Sequence, residues 1–221
     1  LDSPTDYNLV AGNGYFLTGA LWMLDAPGEW YYESATSTVY IWMPDGAVPG
    51  ARVVIGGLTM GADLSAKANV NLRNISIRRV GTGVGLGWAR SVALNGIGIS
   101  DVFDYGISAE NCGQCSVQAS SVTRSGRDAI SALGSLAVNF SVVDSTITNS
   151  AFSDRADGWR ALPRPAKSAI HVVGANPTVL RNSVVGAAHA GVNIGVNGNV
   201  AYNYISRTCM MLNDCGAIYA N

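Results

Sequence analysis

From Val70 to Tyr219 the chain repeats one short pattern of aliphatic and polar positions six times. Aligning Leu72, Leu94, Val117, Val142, Val179 and Val200 also aligns an aliphatic residue five positions later in every copy: Ile77, Ile99, Val122, Ile147, Val184 and Ile205. A third column follows, in which a small residue precedes an aliphatic one: Gly83-Val84, Gly106-Ile107, Ala129-Ile130, Ala169-Ile170, Gly191-Val192 and Ala217-Ile218. The first column advances by 22, 23, 25, 37 and 21 residues. Self-similarity at this period marks a repeat architecture whose neighbouring copies bury a shared core. The aligned residues alternate with outward neighbours, as in Ile107-Ser108-Ala109, so each copy is predicted to hold three short strands. Stacking the copies pairs these strands in parallel and lines up like side chains inside. The expected fold is therefore all-β, a parallel β-helix of about six to seven coils. Asn74, Asn95-Gly96, Asn182 and Asn203 fall just after the first column, where sharp corners require left-handed backbone angles. A leucine-rich horseshoe is the structural rival, but no helical segment separates the strands.

Residues 1–50 do not follow the coil pattern and form a separate N-terminal segment; 51–221 hold the β-helix. Glu29 to Glu33 and Val39 to Met43 are rich in aromatic and β-branched residues and flank Ser34 to Thr38. They read as an antiparallel hairpin packed on the solenoid. Its Trp and Tyr residues either stack on sugars or, more plainly, glue the hairpin to the helix. Pro44-Asp45-Gly46 is a turn signal, and Arg52 to Leu58 is expected to begin a first, imperfect coil.

The coils, the phrases Gly28 to Glu33 and Val39 to Gly46, and the final Asn213-Asp214-Cys215-Gly216-Ala217-Ile218-Tyr219 resemble a known group. They look like secreted right-handed β-helix carbohydrate-active proteins of the pectate-lyase-like superfamily, and the final phrase most resembles its glycoside hydrolases. The resemblance covers most of the chain. It implies a right-handed solenoid, an extracellular or periplasmic location, a poly- or oligosaccharide substrate and no cofactor. Lyases, hydrolases, epimerases and phage tailspikes share the coil pattern, so it points to the fold more than to the activity.

Charged residues make up 13% of the chain and the net charge is −1, so no basic stripe suggests nucleic acid and no polybasic segment suggests a membrane surface. No apolar run approaches the about 20 residues of a spanning helix. Four cysteines form two local pairs, Cys112/Cys115 and Cys209/Cys215. A second pair at zinc-site spacing is missing, and clustered acids lack calcium-loop spacing, so no metal is expected. Small-loop disulfides fit a secreted protein, with buried free thiols as the plainer alternative that the inward position of Cys115 favours. Sequons at Asn74 and Asn139 read as corner and core-edge residues. Leu1 opens without a signal-peptide pattern and Asn221 closes on a strand of the sixth coil. A processed or incomplete chain is expected, its open ends covered by further sequence or another chain.

Departures from the repeat locate the candidate chemistry. Between the second and third columns most coils need seven or eight residues, but Ile147 to Ile170 takes 23 and Ile205 to Ile218 takes 13. The longer insertion, Ala151 to Lys167, holds Asp154, Arg155, Asp157, Trp159, Arg160, Arg164 and Lys167; the shorter holds Arg207, Asn213 and Asp214. In the resembling proteins, loops at this corner wall a groove over the strand that follows. The outward residues of that strand, Gly85, Ser108, Ser131, His171, Asn193 and Tyr219, would form its floor, with Asp104, Asp128 and His189 just before it. Such a row suits sugar hydroxyls and is also what an ordinary solvated face looks like. His189 reads equally as a corner histidine bonded to backbone.

Glycoside hydrolysis needs an acid to protonate the leaving oxygen and a second group to attack or to activate water. Asp214 is the first candidate, since it lies in the resembling phrase, and it reads equally as a turn residue. Asp128, two residues before the groove strand, resembles a catalytic aspartate of pectin-degrading β-helix hydrolases, but the doubled aspartate and Gly-His-Gly of those enzymes are missing. Its plainer alternative is a surface ion pair with Arg127 or Arg124. Coils three and six lie roughly 14 Å apart, too far for Asp128 and Asp214 to share one bond unless loop geometry contracts it, so Asp157, Asp154 or a residue beyond Asn221 would complete either site. Lys167, Arg155, Arg160, Arg164, His171 and His189 would instead serve a lyase, which removes a proton next to a uronate carboxylate. A glycan-binding or structural β-helix without chemistry is the third class.

Overall fold

The computed structural model describes residues 19–151, 168–210 and 215–220. They divide into two compact units, meeting in sequence at Arg52 and Val53.

In the N-terminal unit, β1 (Trp30–Glu33) pairs antiparallel with β2 (Thr38–Ile41), from Trp30 opposite Ile41 to Glu33 opposite Thr38. This is the expected hairpin, within one or two residues at each strand end. Tyr31 and Tyr40 stack across it with ring centroids 6.3 Å apart, while Trp30 and Tyr32 are exposed.

The second unit is a right-handed parallel β-helix. β3 (Met60–Asp63) precedes six coils of three strands. The first coil holds β4 (Asn71–Arg73), β5 (Ser76–Arg78) and β6 (Thr82–Gly85), and the second β7 (Ala93–Asn95), β8 (Gly98–Val102) and β9 (Ile107–Ser108). The third holds β10 (Ser116–Gln118), β11 (Ser121–Ser125) and β12 (Ile130–Ala132), and the fourth β13 (Ser141–Val143), β14 (Thr146–Ser150) and β15 (Ser168–Val172). β16 (Thr178–Leu180), β17 (Ser183–Ala187) and β18 (Ala190–Ile194) make the fifth, and β19 (Asn199–Ala201), β20 (Tyr204–Ser206) and β21 (Ile218–Ala220) the sixth. Like strands of successive coils form three sheets.

Register follows the aliphatic columns. Leu94 pairs with Leu72 and Val117, and Val179 with Val142 and Val200, in the first sheet. Ile99, Val122, Ile147 and Val184 align in the second, and Val84, Ile107, Ile130, Ile170, Val192 and Ile218 in the third. A one-residue slip would turn a whole ladder outward, so burial locks the pairing. The small third-column residue has a packing cause: a Cβ on Gly106 would lie 2.6 Å from Val122 Cγ1 and press on the Ala129 carbonyl oxygen of the next coil.

Three expectations are corrected. Arg52 to Leu58 forms no strand of an imperfect coil: a short 3-10 turn (Gly50–Arg52) is followed by irregular chain, and the strand begins at Met60. The Gly56-Gly57 pair interrupts the alternation there. The corners between the first and second sheets do turn with positive φ, at Asn74 and Gly96 as expected and also at Ala119, Asp144, Arg181 and Tyr202. Backbone hydrogen bonds between coils, such as Asp144 N–H to Leu180 O at 3.1 Å, offset the roughly 1 kcal/mol cost of each such conformation. Asn182 and Asn203 instead follow the corner and bond along the solenoid, so their side chains rather than their backbones explain them. Finally, Cys115 does face inward, yet it is no free thiol. Cys112–Cys115 and Cys209–Cys215 are both disulfides.

Candidate functional site

The outward row of the third sheet is in register as expected: Gly85, Ser108, Ser131, His171, Asn193 and Tyr219 pair in turn. Asp63 of β3 extends it by one step. Parallel pairing holds neighbours in this row about 4.8 Å apart. The row is no ordinary solvated face, because Ser131 and Asn193 are each only 3% exposed.

At its centre stands a carboxylate–imidazole pair. Asp128 is buried, and its Oδ2 lies 3.1 Å from Nδ1 of His171 in the next coil. Its other oxygen, Oδ1, accepts the Ser168 backbone N–H at 2.8 Å. His171 and Asp128 come together because Asp128 sits two residues before its third-column aliphatic, Ile130, and His171 one residue after the aliphatic of the next coil, Ile170. A carboxylate against Nδ1 favours the tautomer with its proton there, which leaves Nε2 as an acceptor. Nε2 has no hydrogen-bond partner among the described residues.

A second cluster adjoins it one coil earlier. Arg127 donates to the Tyr105 hydroxyl at 3.0 Å, and its guanidinium carbon lies 5.3 Å from the centre of that ring. Arg127 Nε is 3.1 Å from Asp104 Oδ1, close enough for an ion pair, although neither atom has a well-directed hydrogen bond. Asp104 is therefore neutralised by a neighbour rather than held beside Asp128. The surface pairing considered for Asp128 does not occur with either arginine: Arg127 takes Asp104, and Arg124 takes Asp101 through Nε and Nη2. Farther along the row, His189 lies near Tyr219, with ring centroids 6.5 Å apart, and its carbonyl accepts the Cys209 N–H at 2.8 Å.

Asp128, His171, His189, Asn193, Tyr219 and Asp104 thus lie on or beside one sheet face. Asp214, Asp157, Trp159, Arg155, Arg160 and Lys167, together with Asp154 and Arg164, lie outside the described residues. Sequence reasoning had given Asp128 and His171 separate roles and had passed over Tyr105. The three-column alignment contained the signal for the Asp128–His171 contact, since it puts them in adjacent coils at offsets of −2 and +1. Their separation of 43 positions, which spans the long insertion, hid it. Among the described residues no group of three or more His, Cys, Asp or Glu is placed to hold a metal ion. Comparison of the chain with protein-family models, curated proteins and solved structures finds no match, so the site stands on its geometry.

Proposed function

We propose that the protein is a secreted, carbohydrate-active β-helix enzyme, a glycoside hydrolase that cleaves a polysaccharide lying along the third sheet. The observation that carries this reading is the Asp128–His171 pair, set within a row of hydroxyl, amide and phenol side chains. An imidazole backed by a carboxylate on Nδ1 can take a proton from water through Nε2, in the water-activating place that a carboxylate holds in most such enzymes. Asp214, in the phrase that resembles the glycoside hydrolases, is the proposed acid, with Asp157 of the long insertion as its alternative. Asn193, Tyr219, His189 and Asp104 would contact sugar, joined by Trp159, Arg155, Arg160 and Lys167 of the insertion. The two disulfides are compatible with an oxidising compartment.

A β-elimination reading is favoured by one specific feature: the same imidazole, with a carboxylate on Nδ1, can take the proton next to a uronate carboxylate. A polysaccharide panel separates the two, read for new reducing ends and for absorbance at about 235 nm, which reports the double bond that only elimination creates. Hydrolysis predicts reducing ends without that absorbance, and a loss of at least about 100-fold in kcat for His171→Ala and for Asp214→Asn. Both signals together would replace hydrolase with lyase. Full activity in His171→Ala would sink both readings.

A further inference from the structure

Ala151, just after β14, and Ser168, the first residue of β15, are both tied to one stretch of the coil below. The Ala151 N–H is shared between the Ser125 and Arg127 carbonyl oxygens, at 3.0 and 3.1 Å. The Ser168 N–H goes to Asp128 Oδ1 at 2.8 Å. Asp128 therefore holds the returning backbone with one oxygen and His171 with the other. Its side chain is only 5% exposed, and a carboxylate buried to that degree with both oxygens engaged is poorly placed to give a proton to a substrate.

We propose that Asp128 is a positioning residue: with one carboxylate it fixes the His171 ring as the Nδ1–H tautomer and pins the backbone where the chain returns from its insertion. The assignment rests on the reading of His171 as the proton-transfer group, and it replaces the role of catalytic acid for Asp128. The physical reason is the shared carboxylate. The register that pairs Ile130 with Ile170 puts Ser168 over the Asp128 position in the stacked coils, three residues before His171 on β15. Any displacement of Ser168 is therefore carried to the imidazole through a strand and a carboxylate at once. Asp128→Asn separates the two tasks. The amide oxygen still accepts the Ser168 N–H, while the amide nitrogen, a donor, now faces Nδ1 and demands the opposite tautomer.

The test uses nitrogen-15 NMR of the imidazoles, which is simple here because the chain has two histidines and His189→Gln assigns the spectrum. Spectra are recorded near pH 8, above the ordinary imidazole value of about 6.5. The expected result is an Nδ1–H ring for His171 in the parent protein and an Nε2–H ring in Asp128→Asn, with the melting temperature held within a few degrees. Asp128→Ala, which removes both bonds, should lower the melting temperature more than Asp128→Asn does. On a cleaved polysaccharide, Asp128→Asn should lose about 100- to 10,000-fold in kcat with little change in KM, the size expected of a wrong tautomer. A parent ring protonated on Nε2 or on both nitrogens would overturn the proposal, as would an unchanged tautomer in Asp128→Asn. The NMR result does not depend on finding a substrate. Silence on every polysaccharide with the tautomers as expected would count against the enzymatic reading alone.

Discussion

Asn182 ties together three successive coils through one side chain. Its Oδ1 accepts the Ser145 N–H at 2.9 Å and its Nδ2 donates to the Val142 carbonyl, both in the coil below. Its own N–H and amide group meet Asn203 Oδ1 in the coil above, at 2.8 and 3.0 Å. In earlier coils the same position holds Ser145 and Ser120, whose hydroxyls accept the Ser120 and Ile97 N–H groups. The residue is 2% exposed, so these bonds form away from competing water. Asn182→Leu keeps the branched shape but strands the buried Ser145 N–H, at a cost of about 1–3 kcal/mol. We expect a loss on the order of 2 kcal/mol, read as a lower urea midpoint with an unchanged slope. Asn182→Ser should recover part of it, because a hydroxyl already does this task in the third and fourth coils.

At the scale of the strand, the second sheet is bordered by two ion pairs between coils. Arg124 of β11 meets Asp101 of β8, both one residue before the strand ends, and Arg181 meets Asp144 before the strand, each through Nε and Nη2 to the two carboxylate oxygens. The Arg124 hydrogen bond holds the Asp101 carboxyl below its ordinary value of 3.8, against the opposing effect of burial, and Arg181 does the same for Asp144. These residues also occupy left-handed corners, so the pairs brace strained backbone. Because the folded values are depressed, the stabilisation is fully present above 3.8 and is lost as pH falls through the lower folded values. Both pairs are exposed, so the effect is modest and salt-sensitive. Asp101→Asn combined with Asp144→Asn should be slightly less stable than the parent at pH 7. In acid melts the two curves should converge as pH drops well below 3.8, and a difference that persists there would refute the assignment.

Across the whole solenoid the core is deepest in the middle. Val117, Val142, Val179, Ile147 and Val184 are fully buried, whereas Ile77 of the first coil is 8% exposed and Leu72, Val200 and Ile205 are only half-buried. In a stacked repeat each coil is stabilised by its own packing and by the coils on either side, so stability falls toward the ends. Hydrogen exchange should therefore be slowest in β10 to β18 and faster in β4, β5, β19 and β20. Uniform protection from end to end would instead mean that the solenoid opens only as a unit.

The repeat was legible because its signal is local. A buried strand position must be aliphatic and the next outward, so the columns headed by Leu72, Ile77 and Val84, their register, the hairpin and the outward row from Gly85 to Tyr219 could all be read along the chain. Corners were less legible. A positive φ at Ala119 or Arg181 is held by hydrogen bonds from the neighbouring coil, and the residue itself carries no mark of it. The candidate site was divided in the same way. That Asp128 and His171 both face the third sheet followed from their offsets within the repeat. That one carboxylate engages both His171 and the Ser168 backbone, while Arg127 and Arg124 are taken by Asp104 and Asp101, was decided only by the tertiary structure. Stacking determines which residues become neighbours, but among several cations near one carboxylate, side-chain reach and direction choose the partner.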